Sequence, residues 1–100
     1  MKQKTNKKIN LICDKRLEKY FSITEKAEKL AKKAINSEKK QEAKKILEMV
    51  SCYLSDAHHF QKTGNYVNAF ACINYAHGWL DSGARLGIFK VTDSRLFTIE

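Results

Sequence analysis

The chain contains no proline, and only four of its 100 residues are glycine. Both residues interrupt helices, so their shortage points to long unbroken ones. Cysteine is sparse as well, at positions 13, 52 and 72, an odd number with no close pair. That argues against a disulfide framework and for reduced thiols in a cytoplasm. The opening Met-Lys-Gln-Lys-Thr-Asn-Lys-Lys is followed by no long apolar run. Neither a signal peptide nor a membrane span is therefore expected. A Gly-rich phosphate loop, a His-Glu-x-x-His pair and a Gly-x-Ser-x-Gly turn are missing too, which removes the commonest sequence marks of catalysis.

What is present is one domain's worth of chain, with 43% apolar residues. That suffices for a core with little reserve at this size. The net charge is +8, and it is unevenly placed. Residues 1–50 hold fifteen Lys or Arg against seven Asp or Glu, whereas residues 51–100 hold four of each. The whole excess therefore sits on the basic tail, 1–8, and the first two helical segments. Such a face can attract nucleic acid or an acidic partner. Yet sixteen of the nineteen cations are Lys, interleaved with Glu. A site that gripped phosphate in a bidentate way would be expected to use Arg. Nucleic-acid binding is the disfavoured alternative.

Hydrophobic periodicity predicts three helices. The first is expected over about 9–36. Cys13, Leu17, Tyr20, Thr24, Ala27, Ala31 and Ala34 form its seam, and Ile12, Phe21, Leu30 and Ile35 widen it. Ser22-Ile-Thr-Glu25 matches a capping box, but the seam passes through Ser22 in phase, so one continuous helix is favoured. Asn36-Ser37 is a polar joint with capping chemistry. A second helix is expected over 38–63, with a stripe of Ala43, Ile46, Leu47, Val50, Tyr53, Leu54, Ala57 and Phe60. Gly64 is placed to end it in a left-handed conformation, with Asn65 capping the next helix.

The third helix, 65–87, organises the rest. Its seam is Tyr66, Ala69, Ile73, Ala76, Leu80, Gly83 and Gly87. Phe70, His77 and Ala84 flank the seam on one side, and Cys72, Trp79 and Leu86 on the other. A seam with two apolar flanks meets two neighbours, so this helix is expected at the centre. Its outer face carries Ala71, Tyr75, Gly78, Ser82 and Arg85, where the other helices carry Lys and Glu. So bare a face suggests a contact surface for a second copy or another protein. After Gly87 the chain leaves the helix. Thr92-Asp93-Ser94 reads as a turn, and Arg95 to Ile99 alternates at period two, as an extended arm would. The short joints make neighbouring helices antiparallel. The expected fold is all-α, an up-down-up three-helix bundle over 9–89 with an extended C-terminal arm over 90–100.

Candidate chemistry is thin. Asp56 and His59 share a face of the second helix, and His77 and Asp81 a face of the third. Together they form a weak candidate for the divalent-metal site of a hydrolase, the least favoured function. The plainer expectation is that Asp56 and His59 are surface residues and that Asp81 pairs with Arg85 four residues on. His77 is expected as a hydrogen-bonded interior histidine. Cys72 and His77 diverge on one helix, so no nucleophile–base pair forms there. Cys13 and Cys52 are expected as small buried apolar residues. No cofactor is implied, and nothing marks an enzyme.

Tyr53-Leu-Ser-Asp-Ala57, Phe60, Gly64-Asn-Tyr66, Ala69-Phe70 and above all the run from Tyr75 to Phe89 resemble a small archaeal family catalogued as domain of unknown function 357. The closing Arg95-Leu-Phe-Thr-Ile99 is similar to that family's ending. The resemblance covers roughly 17–99 and implies an antiparallel helical bundle in an archaeal cytoplasm. It implies no activity. Its densest motif contains His77, Gly78, Trp79, Asp81, Gly83 and Arg85, with no role attached to His77, Trp79 or Gly83. A weaker resemblance, in Ala-x-x-Phe and Gly-x-Tyr, is to HEPN-type helical domains. Some of these are ribonucleases with an Arg, four to six intervening residues, and then a His. No Arg stands at that spacing before His58, His59 or His77, so only the bundle shape is implied. The functional expectation is a non-catalytic interaction or self-association module. It would use Ala71, Tyr75, Gly78 and Ser82, with Asp81 and Arg85 at the rim.

Overall fold

A computed structural model describes residues 11–98. The basic tail expected at 1–8, the first two residues of the helix expected from Ile9, and Ile99 and Glu100 of the arm lie outside the described residues.

Three helices make up the fold: α1 (Asp14–Lys33), α2 (Lys40–Lys62) and α3 (Tyr66–Arg85), with a single 3₁₀ turn at Ser37–Lys39 before α2. α3 is central. It packs along α2 over most of its length and along α1 over less, while α1 and α2 barely meet. The directions follow from cross-helix pairs. Tyr20 of α1 meets Phe70 of α3, and Thr24 meets His77, so α1 and α3 run parallel. Tyr53 of α2 stacks on Tyr75, and Ile46 lies beside Gly83, so α2 runs against α3. This is the expected all-α, up-down-up bundle.

The helical part of the core comes from residues that the periodicity marks, and Ile88, Phe89 and Phe97 join it from beyond α3. Leu17, Phe21, Thr24, Ala27 and Ala31 of α1 are buried, as are Ala43, Ile46, Val50, Leu54 and Ala57 of α2. Ala69, Ile73, Ala76, Leu80, Gly83 and Ala84 complete it from α3. The prevalence of Ala and Gly lets backbones approach closely.

Both ends of the α2–α3 pair are closed by the same device. Gly64 and Gly87 adopt φ of 83° and 73°. Behind each, two amides fold back onto the last turn. Asn65 N–H donates to Phe60 O at 2.8 Å and Gly64 N–H to Gln61 O at 3.1 Å. Ile88 N–H donates to Gly83 O at 2.8 Å and Gly87 N–H to Ala84 O at 3.2 Å. These are Schellman caps, which need a residue free of Cβ in the left-handed region. The Asn65 side chain then caps α3 through Asn68 N–H.

The helix ends differ from expectation by a few residues, for physical reasons. α1 begins at Asp14, not at position 9. Leu11 is 83% exposed, and Ile12 alone before Cys13 packs against the core among the described residues. Asp14 instead ties three helix ends together, accepting from Gln61 Nε2 of α2 and from Tyr66 OH of α3. That bond holds the Tyr66 phenol above its ordinary range. α1 stops at Lys33 because residues 34–36 pair with the chain that leaves α3. Asn36 N–H donates to Ile88 O at 2.9 Å and Lys90 N–H to Ala34 O at 2.7 Å, on either side of an antiparallel bridge between Ile35 and Phe89. The Asn36 side chain joins in, donating to Gly87 O and accepting from Glu38 N–H. It thereby caps the 3₁₀ turn, which occupies the place expected for the first residues of α2, and so α2 starts at Lys40 instead of 38. α3 spans 66–85 instead of 65–87 because its Schellman cap removes the last turn.

The C-terminal segment lies on the bundle but is not extended. Leu96 N–H and Phe97 N–H both donate to Asp93 O at 3.1 Å, closing a turn over 94–96. Asp93 also accepts from the Arg95 backbone and guanidinium, which holds its carboxyl below the usual range. A local side-chain turn thus overrides the period-two pattern. Phe97 is driven inward and is 3% exposed.

Candidate docking groove

The outer face of α3 and the adjoining edge of α2 enclose an open groove of about 670 Å³. Tyr53 of α2 forms one wall, and Ala71, Asn74, Tyr75, Gly78, Trp79 and Ser82 of α3 form the rest. Its floor is low because Gly78 has no side chain, and a Cβ placed there would meet nothing within 4 Å. Its rims are rings. Tyr75 stacks on Tyr53, with centroids 5.2 Å apart and planes at 13°, yet remains 63% exposed. Trp79 is 38% exposed. Trp79 flanks the buried seam of Ala76 and Leu80, as expected, and lines the groove there. Leu86 likewise is 68% exposed and lies beyond the helix end.

Four of the residues expected on a contact face, Ala71, Tyr75, Gly78 and Ser82, thus line a single depression. Arg85 is exposed on the same face. Asp81 is not. It turns toward the other edge of α3, where Oδ1 accepts from Thr98 N–H at 2.9 Å and lies 3.6 Å from His77 Nε2. The expected Asp81–Arg85 pair is therefore absent from the described residues. The C-terminal backbone amide offers the carboxylate a partner fixed in place, which a long exposed guanidinium is not. Tyr53, Asn74 and Trp79 complete the groove without having been expected in it. A stripe analysis of α3 alone does not show which α2 side chain lies beside it, although Tyr53 stands in the sequence at the matching antiparallel level.

The metal candidates are not brought together. Asp56 and His59 are exposed on α2, while His77 and Asp81 face α1 and the C-terminal segment. Among the described residues no three His, Cys, Asp or Glu are grouped to hold an ion. His77 is hydrogen-bonded to Thr24 across the helix interface at 3.0 Å. Thr24, His77 and Asp81 thus follow one another in the order of a catalytic triad. Thr24 is 1% exposed, however, and a hydroxyl sealed in the core has no route to a substrate. The row fastens α1, α3 and the C-terminal segment together.

A separate exposed cluster joins α1 to α2. The His58 ring stacks on Phe21 at 4.0 Å and its Nε2 lies 3.0 Å from Glu25 Oε2. The expectation that Cys13 and Cys52 are buried is overturned, since both are exposed. Cys13 precedes the first turn of α1, and Cys52 lies on the face of α2 away from its stripe. Only Cys72 is partly covered, and burial, with a smaller contribution from the Asp56 charge, pushes its thiol up from its ordinary value. Thiolate is the reactive form. In a timed alkylation near neutral pH, Cys13 and Cys52 are therefore expected to label several-fold faster than Cys72, as read by peptide mass spectrometry.

The family described as "Protein of unknown function (DUF357)" matches residues 19–89. The chain belongs to this family. The matched span covers most of α1 and all of α2, α3 and the bridge at Phe89, and so includes both helices that line the groove. No curated protein and no solved structure matches the chain. No helix among the described residues is long and apolar enough to cross a membrane.

Proposed function

We propose that this member of the family is a non-catalytic protein-interaction module that docks a partner in the α3 groove. One observation carries the reading. On a chain of net charge +8, whose other helix faces are Lys and Glu, the groove has an uncharged lining, two exposed rings and a floor of small residues. Leaving such a surface in water costs what its burial would return, and so an apolar groove with aromatic rims marks a place of contact. Free thiols favour a reducing compartment, so cytoplasmic residence belongs to this reading. Archaeal origin rests on the sequence resemblance alone. Binding of nucleic acid by the Lys faces of α1 and α2 is the lesser reading, since those faces interleave Lys with Glu and hold Arg16 as their one guanidinium, and the groove lies elsewhere.

The test places a photoreactive phenylalanine analogue at Tyr75 and, as control, at the exposed Lys29, in chain returned to extract of its source cells. Cross-linking to a polypeptide, itself or another, is expected at Tyr75 and not at Lys29. Equal and negligible yields at both positions defeat the reading.

A further inference from the structure

The exposed positions of α3 and its cap have a symmetry of their own. Between Tyr66 and Leu86, ten residues are exposed: 67, 68, 71, 74, 75, 78, 79, 82, 85 and 86. They fall in couples equidistant from the midpoint between Ala76 and His77. A helix laid antiparallel on a copy of itself about that midpoint brings each member of a couple opposite the other. Of the five couples, one sets the Asn74 amide opposite the Trp79 indole, and the other four are complementary in size or charge. Tyr75 meets Gly78, a ring opposite open space. Ala71 meets Ser82, small opposite small. Val67 meets Leu86, which are 71% and 68% exposed. Arg85, the one charged residue among the ten, meets the neutral amide of Asn68.

We infer that the occupant of the groove is a second copy of this chain, its α3 lying antiparallel on the first across a twofold axis. An isologous interface demands this self-complementarity, in which residue i contacts j and j contacts i. Charge selects the same partner. A chain of net +8 repels its own copy over most of its surface. Residues 51–100, which supply all of α3 and its Tyr53 wall, are neutral, with four cations and four anions. In the antiparallel pairing each Arg85 stands opposite an Asn68, not opposite the other Arg85. Ala71, Gly78 and Ser82 let the two helices close to roughly 8 Å, and each Tyr75 ring enters the space above its partner's Gly78. The inference rests on the groove being an interaction surface and names its occupant.

Analytical ultracentrifugation of the full chain, from micromolar to millimolar concentration, is expected to show a reversible dimer. Gly78→Arg fills the floor with a charge and is expected to weaken the dimer by more than about tenfold. The site is open, so the fold survives, as circular dichroism will show. Ser82→Arg, also exposed, is expected to act in the same direction. Register is read by disulfide trapping in Cys13→Ser, Cys52→Ser, Cys72→Ala background. Chains carrying Ala71→Cys are expected to cross-link to chains carrying Ser82→Cys, and neither to itself. Self-cross-linking of Ala71→Cys overturns the antiparallel pairing, as does a dimer indifferent to both arginines. A monomer throughout, with Tyr75 still cross-linking another polypeptide in extract, overturns the second copy and leaves the interaction reading standing. A monomer with no such cross-link ends both.

Discussion

Gly83→Ala is expected to destabilise the fold by about 1–3 kcal/mol, although alanine is the better helix former. A Cβ at Gly83 would overlap the Phe89 ring at Cε2 and Cδ2, and would lie 3.4 Å from Ile46 Cδ1. Phe89 cannot move aside cheaply. It is 1% exposed, its own amide donates to Gly83 O, and its backbone is bridged to Ile35. The ring is clamped onto the bare helix by the stitching that turns the chain back from Gly87.

The cause is separable from simple helix propensity. Phe89→Ala alone removes a buried ring and is expected to cost about 3–5 kcal/mol, close to the upper end for single core substitutions. In that background the overlap with a Cβ at position 83 is gone. Gly83→Ala is then expected to be neutral or to stabilise by up to about 1 kcal/mol through backbone entropy alone. A double-mutant cycle by urea denaturation measures the coupling directly. If Gly83→Ala costs the same with and without the ring, close packing is not why glycine stands there.

Most of the fold was legible because its information is local and periodic. Of the seam residues read for α2, Ala43, Ile46, Val50, Leu54 and Ala57 are all buried. Gly64 and Gly87 announced their helix ends through the one backbone conformation that glycine reaches without strain. Cys13 misled because it extends a valid pattern past the point where another element exists to receive it, and a periodic residue with no neighbour stays in water. The turn at Asp93 lies outside any reading of periodicity, because a side chain that bonds its own backbone competes with the regular ladder.

The groove was half legible. Ala71, Tyr75, Gly78 and Ser82 declared themselves by an absence of charge on a helix face where charge was the norm. Tyr53 and Trp79 did not. Each sits at the edge of a stripe, where a small rotation of one helix against another decides between core and rim. The Asp81–Arg85 pairing failed differently. Spacing within a helix identifies residues within reach of one another, but not a competitor seventeen residues along the chain, in this case the amide of Thr98.

Phe97→Ala is the second substitution with a large expected effect, and it separates two accounts of the C-terminal segment. Phe97 is 3% exposed and joins the core cluster formed by the helices. Loss of a buried ring of this kind removes about 3–5 kcal/mol where the surroundings unfold with it as one unit. The segment's remaining ties are the half-buried Val91 and Leu96 against the core, the Asp93 turn, which is internal to it, and the bond from Thr98 N–H to Asp81. Local undocking therefore competes with global unfolding. If the segment is a cooperative part of the bundle, urea denaturation followed by helical circular dichroism moves by the full amount, and Asp81→Ala adds to it only weakly. If the segment detaches first, the helices unfold at nearly the unaltered midpoint, and only the Thr98 amide loses protection from hydrogen exchange. The buried Thr24–His77 bond and the neighbouring Asp81 link the segment's attachment point to the core of α1. The cooperative outcome is the expected one, with a large shift in the helical midpoint.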